Sequence, residues 1–159
     1  MFLSQFLEDQ KVEFEEMLHP PAYTAQKRAK FLHIPARQVV KSVVLITGNG
    51  AVLAVLPATE RVDLERVAFA LETDVRLASE SEVIELFRDC ERGALTPFGR
   101  LYGLTTILES SLTPDTLIVF EAQCHGIAIR MLCRDYELLE QPRRLAFALE
   151  ELTSHRRGA

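Results

Sequence analysis

Lys41 stands in the run Gln38-Val-Val-Lys41-Ser42-Val-Val-Leu-Ile46, where every neighbour favours burial and an ammonium is an unexpected choice. Such a lysine either snorkels to water from an edge strand or is held at a pocket wall to grip a phosphate or a carbonyl oxygen. A second candidate is Gly93-Ala-Leu-Thr96-Pro97-Phe98-Gly99, which combines a residue without Cβ, a fixed φ and an aromatic ring. That composition suits backbone N–H groups aimed at an oxyanion or an ester carbonyl, and it equally suits a structural turn. It is not a Walker loop, because no Gly-Lys-Ser/Thr follows, and the chain has no Gly-x-Gly-x-x-Gly. The third candidate is Cys124-His125-Gly126. Adjacent side chains on an extended segment point to opposite faces, so Cys124 and His125 cannot serve each other as nucleophile and base. His125 alone either faces the pocket or is a polar strand-end residue. Cys90 lies between Asp89 and Glu91, whose charges oppose a reactive thiolate. His19 and His33 match no metal spacing, so neither a metal nor another cofactor is expected.

The elements that must position these residues follow from periodicity. Phe2, Leu3, Phe6, Leu7, Phe14, Met17 and Leu18 recur at helical spacing, which predicts an opening amphipathic helix that stops before His19-Pro20-Pro21. Thr24 is placed to cap a short helix over 25–32, ended by Ile34-Pro35. The Val- and Ile-rich run 38–47, the turn Gly48-Asn49-Gly50 and the return 51–56 predict an antiparallel hairpin. Asp63 caps a helix to about Leu71, a short extended piece follows at 75–77, and Ser79-x-x-Glu82 is a capping-box pattern. From Asp89 to Gly103 periodicity is lost, as in a long shaped loop. Strands are expected near 105–108, 116–120 and 126–133, and closing helices at 134–140 and 142–152. The sum is one domain over 1–159, an α/β fold with a mixed, largely antiparallel sheet surrounded by helices.

Composition agrees with a domain of this kind. The 159 residues are 48% hydrophobic and 26% charged, enough to bury a core without a disulfide or metal framework. Three cysteines cannot all pair, none is in a C-x-x-C spacing, and a reducing cytoplasmic setting is the simplest expectation. No stretch approaches 18 apolar residues, and the first residues carry acids where a signal peptide carries bases, so neither a membrane span nor export is expected. The net charge of −5 argues against nonspecific coating of nucleic acid. Yet no Asp or Glu occurs from Met17 to Thr59, where Lys27, Arg28, Lys30, Arg37 and Lys41 all fall. This window is either a solvated surface or a positive rim facing a phosphate-bearing ligand.

Taken together, His19-Pro-Pro-Ala-Tyr-Thr24-Ala-Gln-x-x-Ala29, Val-Val-Lys41-Ser42-Val-Val-Leu, Gly93-Ala-Leu-Thr96-Pro97-Phe98-Gly99 and His125-Gly-Ile-Ala-Ile-Arg-Met resemble the YbaK family. These are free-standing relatives of the editing domain inserted in bacterial prolyl-tRNA synthetases, and the resemblance covers about residues 17–150. It implies metal-independent hydrolysis of mischarged aminoacyl-tRNA, chiefly tRNA for proline carrying a small noncognate amino acid such as Ala, Cys or Ser, with no covalent enzyme intermediate. Lys41, Gly93 and His125 would be the catalytic residues. Around the aminoacyl group the resemblance implies His19, Thr24, Ser42, Thr96, Pro97, Phe98 and Gly99, and on the tRNA acceptor end Lys27, Arg28, Lys30 and Arg37. A prolyl-tRNA synthetase is an expected partner, and no membrane is. The chain departs from the family at Ser42, where members often carry Thr or Asn, and at Cys124-His125, where some carry a glycine-basic pair. A noncatalytic module that binds aminoacyl-tRNA or an amino acid in the same pocket is the rival reading.

Overall fold

A computed structural model describes residues 2–19 and 33–151, so the helix expected over 25–32 lies outside the described residues. The chain opens with α1 (Phe2–Asp9), whose Leu3 and Leu7 are fully buried. The helix does not run on to Leu18 as its periodicity predicts. Lys11 takes a left-handed φ of 59°, and Glu15–Leu18 forms β1, antiparallel to β8 (Ile127–Leu132) with Glu15 opposite Arg130. Cross-strand backbone bonds and a Glu15–Arg130 ion pair win over the helical spacing of three side chains.

After a 3₁₀ turn at Ala36–Gln38, β2 (Val40–Thr47) and β3 (Gly50–Pro57) make the expected hairpin, closed by Gly48-Asn49 with Thr47 opposite Gly50. Next come β4 (Glu60–Val62), α2 (Leu64–Leu71), β5 (Val75–Leu77) and α3 (Glu80–Leu86). Both helix starts are capped as the sequence predicts. Asp63 accepts from the N–H groups of Glu65 and Arg66, and Ser79 and Glu82 exchange bonds in a capping box. Glu82 also pairs with Arg76 through two hydrogen bonds of 2.8 and 2.9 Å, which with the Ser79 N–H lower its pKa to about 2.

The long loop contains a 3₁₀ turn, Gly99–Tyr102, and leads into β6 (Thr105–Glu109), β7 (Leu117–Glu121), β8 and α4 (Cys133–Glu140). The last segment corrects a second expectation. In place of a helix over 142–152 it forms β9 (Arg143–Leu145) and β10 (Ala148–Glu150). Gln141 ends α4 at φ 52°, and buried Glu109 then accepts the N–H groups of Phe147 and Ala148 at 2.8 and 2.9 Å. Donors held by a carboxylate cannot enter a helical ladder, and the Phe147 side chain plugs a core cluster formed with Leu45, Leu56 and Val67.

Five strands order as β5-β2-β3-β6-β9, three as β1-β8-β7, and β10 pairs with β4. The pairs β3–β6 and β6–β9 are parallel, whereas β2–β3, β2–β5, β1–β8, β7–β8 and β10–β4 are antiparallel. The sheet is therefore mixed and largely antiparallel, as expected. A parallel bridge from Val39 to Val119 joins the two larger sheets. Val40, Val44, Leu53, Val55, Phe98, Phe120 and Ile129 fill the main core against α1 and α4.

Candidate active site

Gly93 and His125, 32 residues apart in sequence, are brought together by two short backbone devices. Ala94 N–H donates to Glu91 O at 2.9 Å, closing a turn in which Gly93 holds the third position at φ +79°. A positive φ at that position marks a type II turn and is the reason for glycine. Glu91 N–H donates to Gln123 O at 2.8 Å, which ties the turn to the β7–β8 connection. His125 is buried there, its Nε2 2.5 Å from Arg92 O. A carbonyl only accepts, so Nε2 carries the proton. This bond holds the central peptide of the turn. Because that peptide is trans, fixing Arg92 C=O toward His125 turns Gly93 N–H to the opposite side, on an exposed residue. A Cβ built on Gly93 would stand 3.5 Å from His125 Cε1, an ordinary contact.

His19 reaches the same place from β1. Its N–H donates to Gly126 O at 3.1 Å, and its Nε2 lies 3.9 Å from Glu121 Oε1, both side chains being almost wholly enclosed. Glu121 was not legible in the sequence, where a final strand residue among apolar neighbours carries no motif. Alternation places it away from Ile118 and Phe120, which face the main core.

Lys41 is on the corresponding side of β2. It lies two residues beyond Val39, as Glu121 lies two beyond Val119, so both follow the Val39–Val119 bridge on equivalent sides of their strands. Its side chain is 28% exposed, and its ammonium stands 3.6 Å from Glu151 Oε1. Acids surround it: burial, Glu109 and Glu150 raise the pKa of Glu60, and Lys41 acts in the opposite direction. Ser42 occupies the other face, with Val40 and Val44.

The second half of the glycine loop belongs to the scaffold. Phe98 is 1% exposed and meets Phe6, Phe120 and Tyr136 edge to face, while Pro97 O accepts from Tyr136 Oη at 2.7 Å. A Cβ on Gly99 would fall 2.5 Å from Thr106 Oγ1, so that glycine permits close packing. Thr96 is fully buried. Arg37 lines a cleft of about 600 Å³ with Gln38, Glu60, Asp115 and Thr116, and Glu60 is the acid on which Lys41 acts. Thr24, Lys27, Arg28 and Lys30 lie outside the described residues. Burial raises the pKa of the Cys90 thiol, consistent with its exclusion as a nucleophile. Among the described residues no group of three or more His, Cys, Asp or Glu side chains is placed to hold a metal ion, and no helix is long and apolar enough to cross a membrane.

Known proteins are similar to this chain in sequence and in fold. Proline–tRNA ligase of Lactobacillus gasseri is 31% identical over 93 residues, which are 58% of this chain and 16% of that protein. Proline–tRNA ligase of Thermosipho africanus is 30% identical over 74 residues, 46% of this chain and 13% of that protein. The chain thus spans about one-sixth or less of the curated relatives it matches. Two solved structures share the fold: a hypothetical protein with TM-score 0.86 at 14% identity, covering 94% of this chain and 100% of that one, and a candidate trans-editing enzyme for prolyl tRNA synthetase with TM-score 0.76 at 22% identity, covering 87% of each. A family model described as an aminoacyl-tRNA editing domain matches residues 19–139, from His19 through Lys41, Gly93 and His125 into α4, and the chain belongs to that family.

Proposed function

We propose that this chain is a trans-editing hydrolase that deacylates mischarged aminoacyl-tRNA, with tRNA for proline bearing Ala, Cys or Ser as the favoured substrate class. The observation that carries the reading is the Arg92–Gly93 peptide, locked by His125 so that an N–H projects from an exposed glycine turn. An aminoacyl ester is already activated, so positioning a water and stabilising an oxyanion suffice, and the reading calls for no metal and no enzyme nucleophile. Water adds to the ester carbonyl; Gly93 N–H is suited to the negative oxygen that forms, and the Lys41 ammonium to that oxygen and to the phosphate of the terminal adenosine. The bond to the ribose oxygen then breaks, the proton from water goes to that oxygen, and free amino acid and uncharged tRNA leave. His125 acts on this path by holding Gly93. The acid-free window from Met17 to Thr59 supplies cations for acceptor-end phosphates, in a cytoplasmic protein that works beside a prolyl-tRNA synthetase.

Ala-, Cys-, Ser- and Thr-charged tRNA, each incubated with purified protein, test the reading. Accelerated loss of at least one ester is expected. Uniform protection of all four against spontaneous hydrolysis would make the chain a binding module instead.

A further inference from the structure

We propose that Gln123 is the positioning residue of this site, bracing both arms of the Gly93–His125 contact against α1. Gln123 is buried in the β7–β8 connection and takes φ 71°, a left-handed conformation that residues with a Cβ rarely adopt. Its backbone carbonyl accepts Glu91 N–H at 2.8 Å, at the root of the glycine turn. Its side-chain amide makes three further bonds. Oε1 accepts Leu3 N–H at 3.2 Å, and Nε2 donates to Asp89 Oδ2 at 3.0 Å and to Tyr102 Oη at 2.8 Å. The partners fix which way the amide faces: a backbone N–H only donates and a carboxylate only accepts. Tyr102 closes the ring by donating to Asp89 Oδ1 at 2.7 Å.

The arrangement has a direction. Asp89 precedes Gly93 by four residues and His125 follows Gln123 by two, so the amide grips the bases of the two segments whose tips meet at Arg92 O and His125 Nε2. Leu3 N–H is one of the donors that the first turn of a helix leaves without an intrahelical acceptor, and Gln123 supplies that acceptor. Leu3 lies outside the family match at 19–139, so the support from α1 comes from a part of the chain that the match does not reach. In a pocket whose chemistry is positioning, loosening this brace lets the Arg92–Gly93 peptide rotate, and the oxyanion donor is lost without loss of substrate contacts.

Gln123→Gly tests the proposal, because glycine accepts φ 71° and keeps the carbonyl that binds Glu91 while deleting the amide. The proposal rests on the deacylase reading for its kinetic arm only. With Ala-charged tRNA for proline, kcat is expected to fall at least about tenfold with KM within about twofold. In the second arm, read without substrate, hydrogen exchange of the Glu91 and Ala94 amides accelerates at least about tenfold in the variant, while amides of β2 and β3 keep their protection. Tyr102→Phe, which removes one partner of the amide, should shift both readouts in the same direction by less. Unchanged exchange at Glu91 and Ala94 would overturn the proposal, as would acceleration spread equally over β2 and β3, which would mean general destabilisation. If the wild-type protein cleaves no ester, the deacylase reading fails, and the exchange arm still decides whether Gln123 holds the turn.

Discussion

The two regions proposed to act on the ester are built by different means. At the Gly93–His125 end, successive hydrogen bonds fix the atoms: Ala94 to Glu91, Glu91 to Gln123, His125 to Arg92 and Gln123 to Asp89. At the Lys41 end a partly exposed ammonium faces Glu151 at 3.6 Å, beyond hydrogen-bond distance and within reach of water. The first end is organised before any substrate arrives, so its contribution depends on geometry. On the proposed reading the second contributes charge, with a phosphate or oxyanion taking the place of Glu151. Substitutions at one end should therefore alter positioning, and at the other electrostatics, with little crossover.

The largest effect is expected at Lys41. Lys41→Ala should lower deacylation by about 100-fold or more, the scale for loss of a fixed oxyanion partner. Its exposed ion pair with Glu151 carries on the order of 0–1 kcal/mol, so the melting temperature should move by only a few degrees. Wild-type turnover in this variant, measured at saturating substrate, would remove the lysine from the mechanism.

Salt separates the two ends next. Three or four phosphate contacts to the single-stranded acceptor end give a log-log slope of about −2 to −3, or about 16- to 64-fold weaker binding between 50 and 200 mM salt. Lys41→Ala should reduce that slope by about 0.7, whereas Gly93→Ala should leave it unchanged. A flat response in the wild-type protein would mean that the basic residues from Lys27 to Lys41 are merely solvated.

Gly93→Ala probes geometry alone. A loop glycine in backbone contact with the aminoacyl group would, on gaining a Cβ, penalise bulky substrates most. In the structure the added methyl meets His125 at 3.5 Å, an ordinary contact, so the cost comes from the left-handed φ, about 1–2 kcal/mol. Activity should fall about tenfold for Ala-, Ser- and Cys-charged tRNA alike. A loss graded by side-chain size would show that the methyl reaches the acyl pocket.

The smallest effect concerns the anchor beyond the glycine loop. Glu140 accepts Thr106 Oγ1 at 2.5 Å and Arg100 N–H at 3.1 Å, and burial pushes its pKa from 4.5 to about 7. A carboxyl whose pKa is higher folded than unfolded binds more protons in the folded state between those values. Its contribution to stability is thus complete below about 4.5 and is lost as pH rises through about 7. Thermal midpoints read across that window should fall more steeply in the wild-type protein than in Glu140→Gln; parallel profiles would remove this group from the pH dependence.

Much of this was legible in the sequence because it was local. The caps at Asp63 and Ser79, the Gly48-Asn49-Gly50 hairpin and the strands around 105–132 each carry their signal within a few residues. What was not legible depends on distant partners. Met17 and Leu18 fit a helix until β8, over 100 residues later, offers a strand to pair with. Phe147 fits a helix until Glu109 claims its N–H. The site divides in the same way: Gly93, Lys41 and His125 stand out by type and spacing, whereas Gln123 and Glu121 gain meaning only from what Leu3, Asp89 and His19 bring to them. Phe98 and Gly99 belong to the quoted motif, and their burial shows what they do for the loop: they seat it in the core.

Turnover number tests the central claim most directly. Ala-charged tRNA for proline is mixed with the protein at one-fiftieth of its concentration, and released alanine is counted against time beside a protein-free control. The account predicts many esters cleaved per protein molecule at a rate well above the control, with the rate collapsing in Lys41→Ala. Release no faster than in the control, or slowed in proportion to the protein added, would show that the site binds the ester without hydrolysing it.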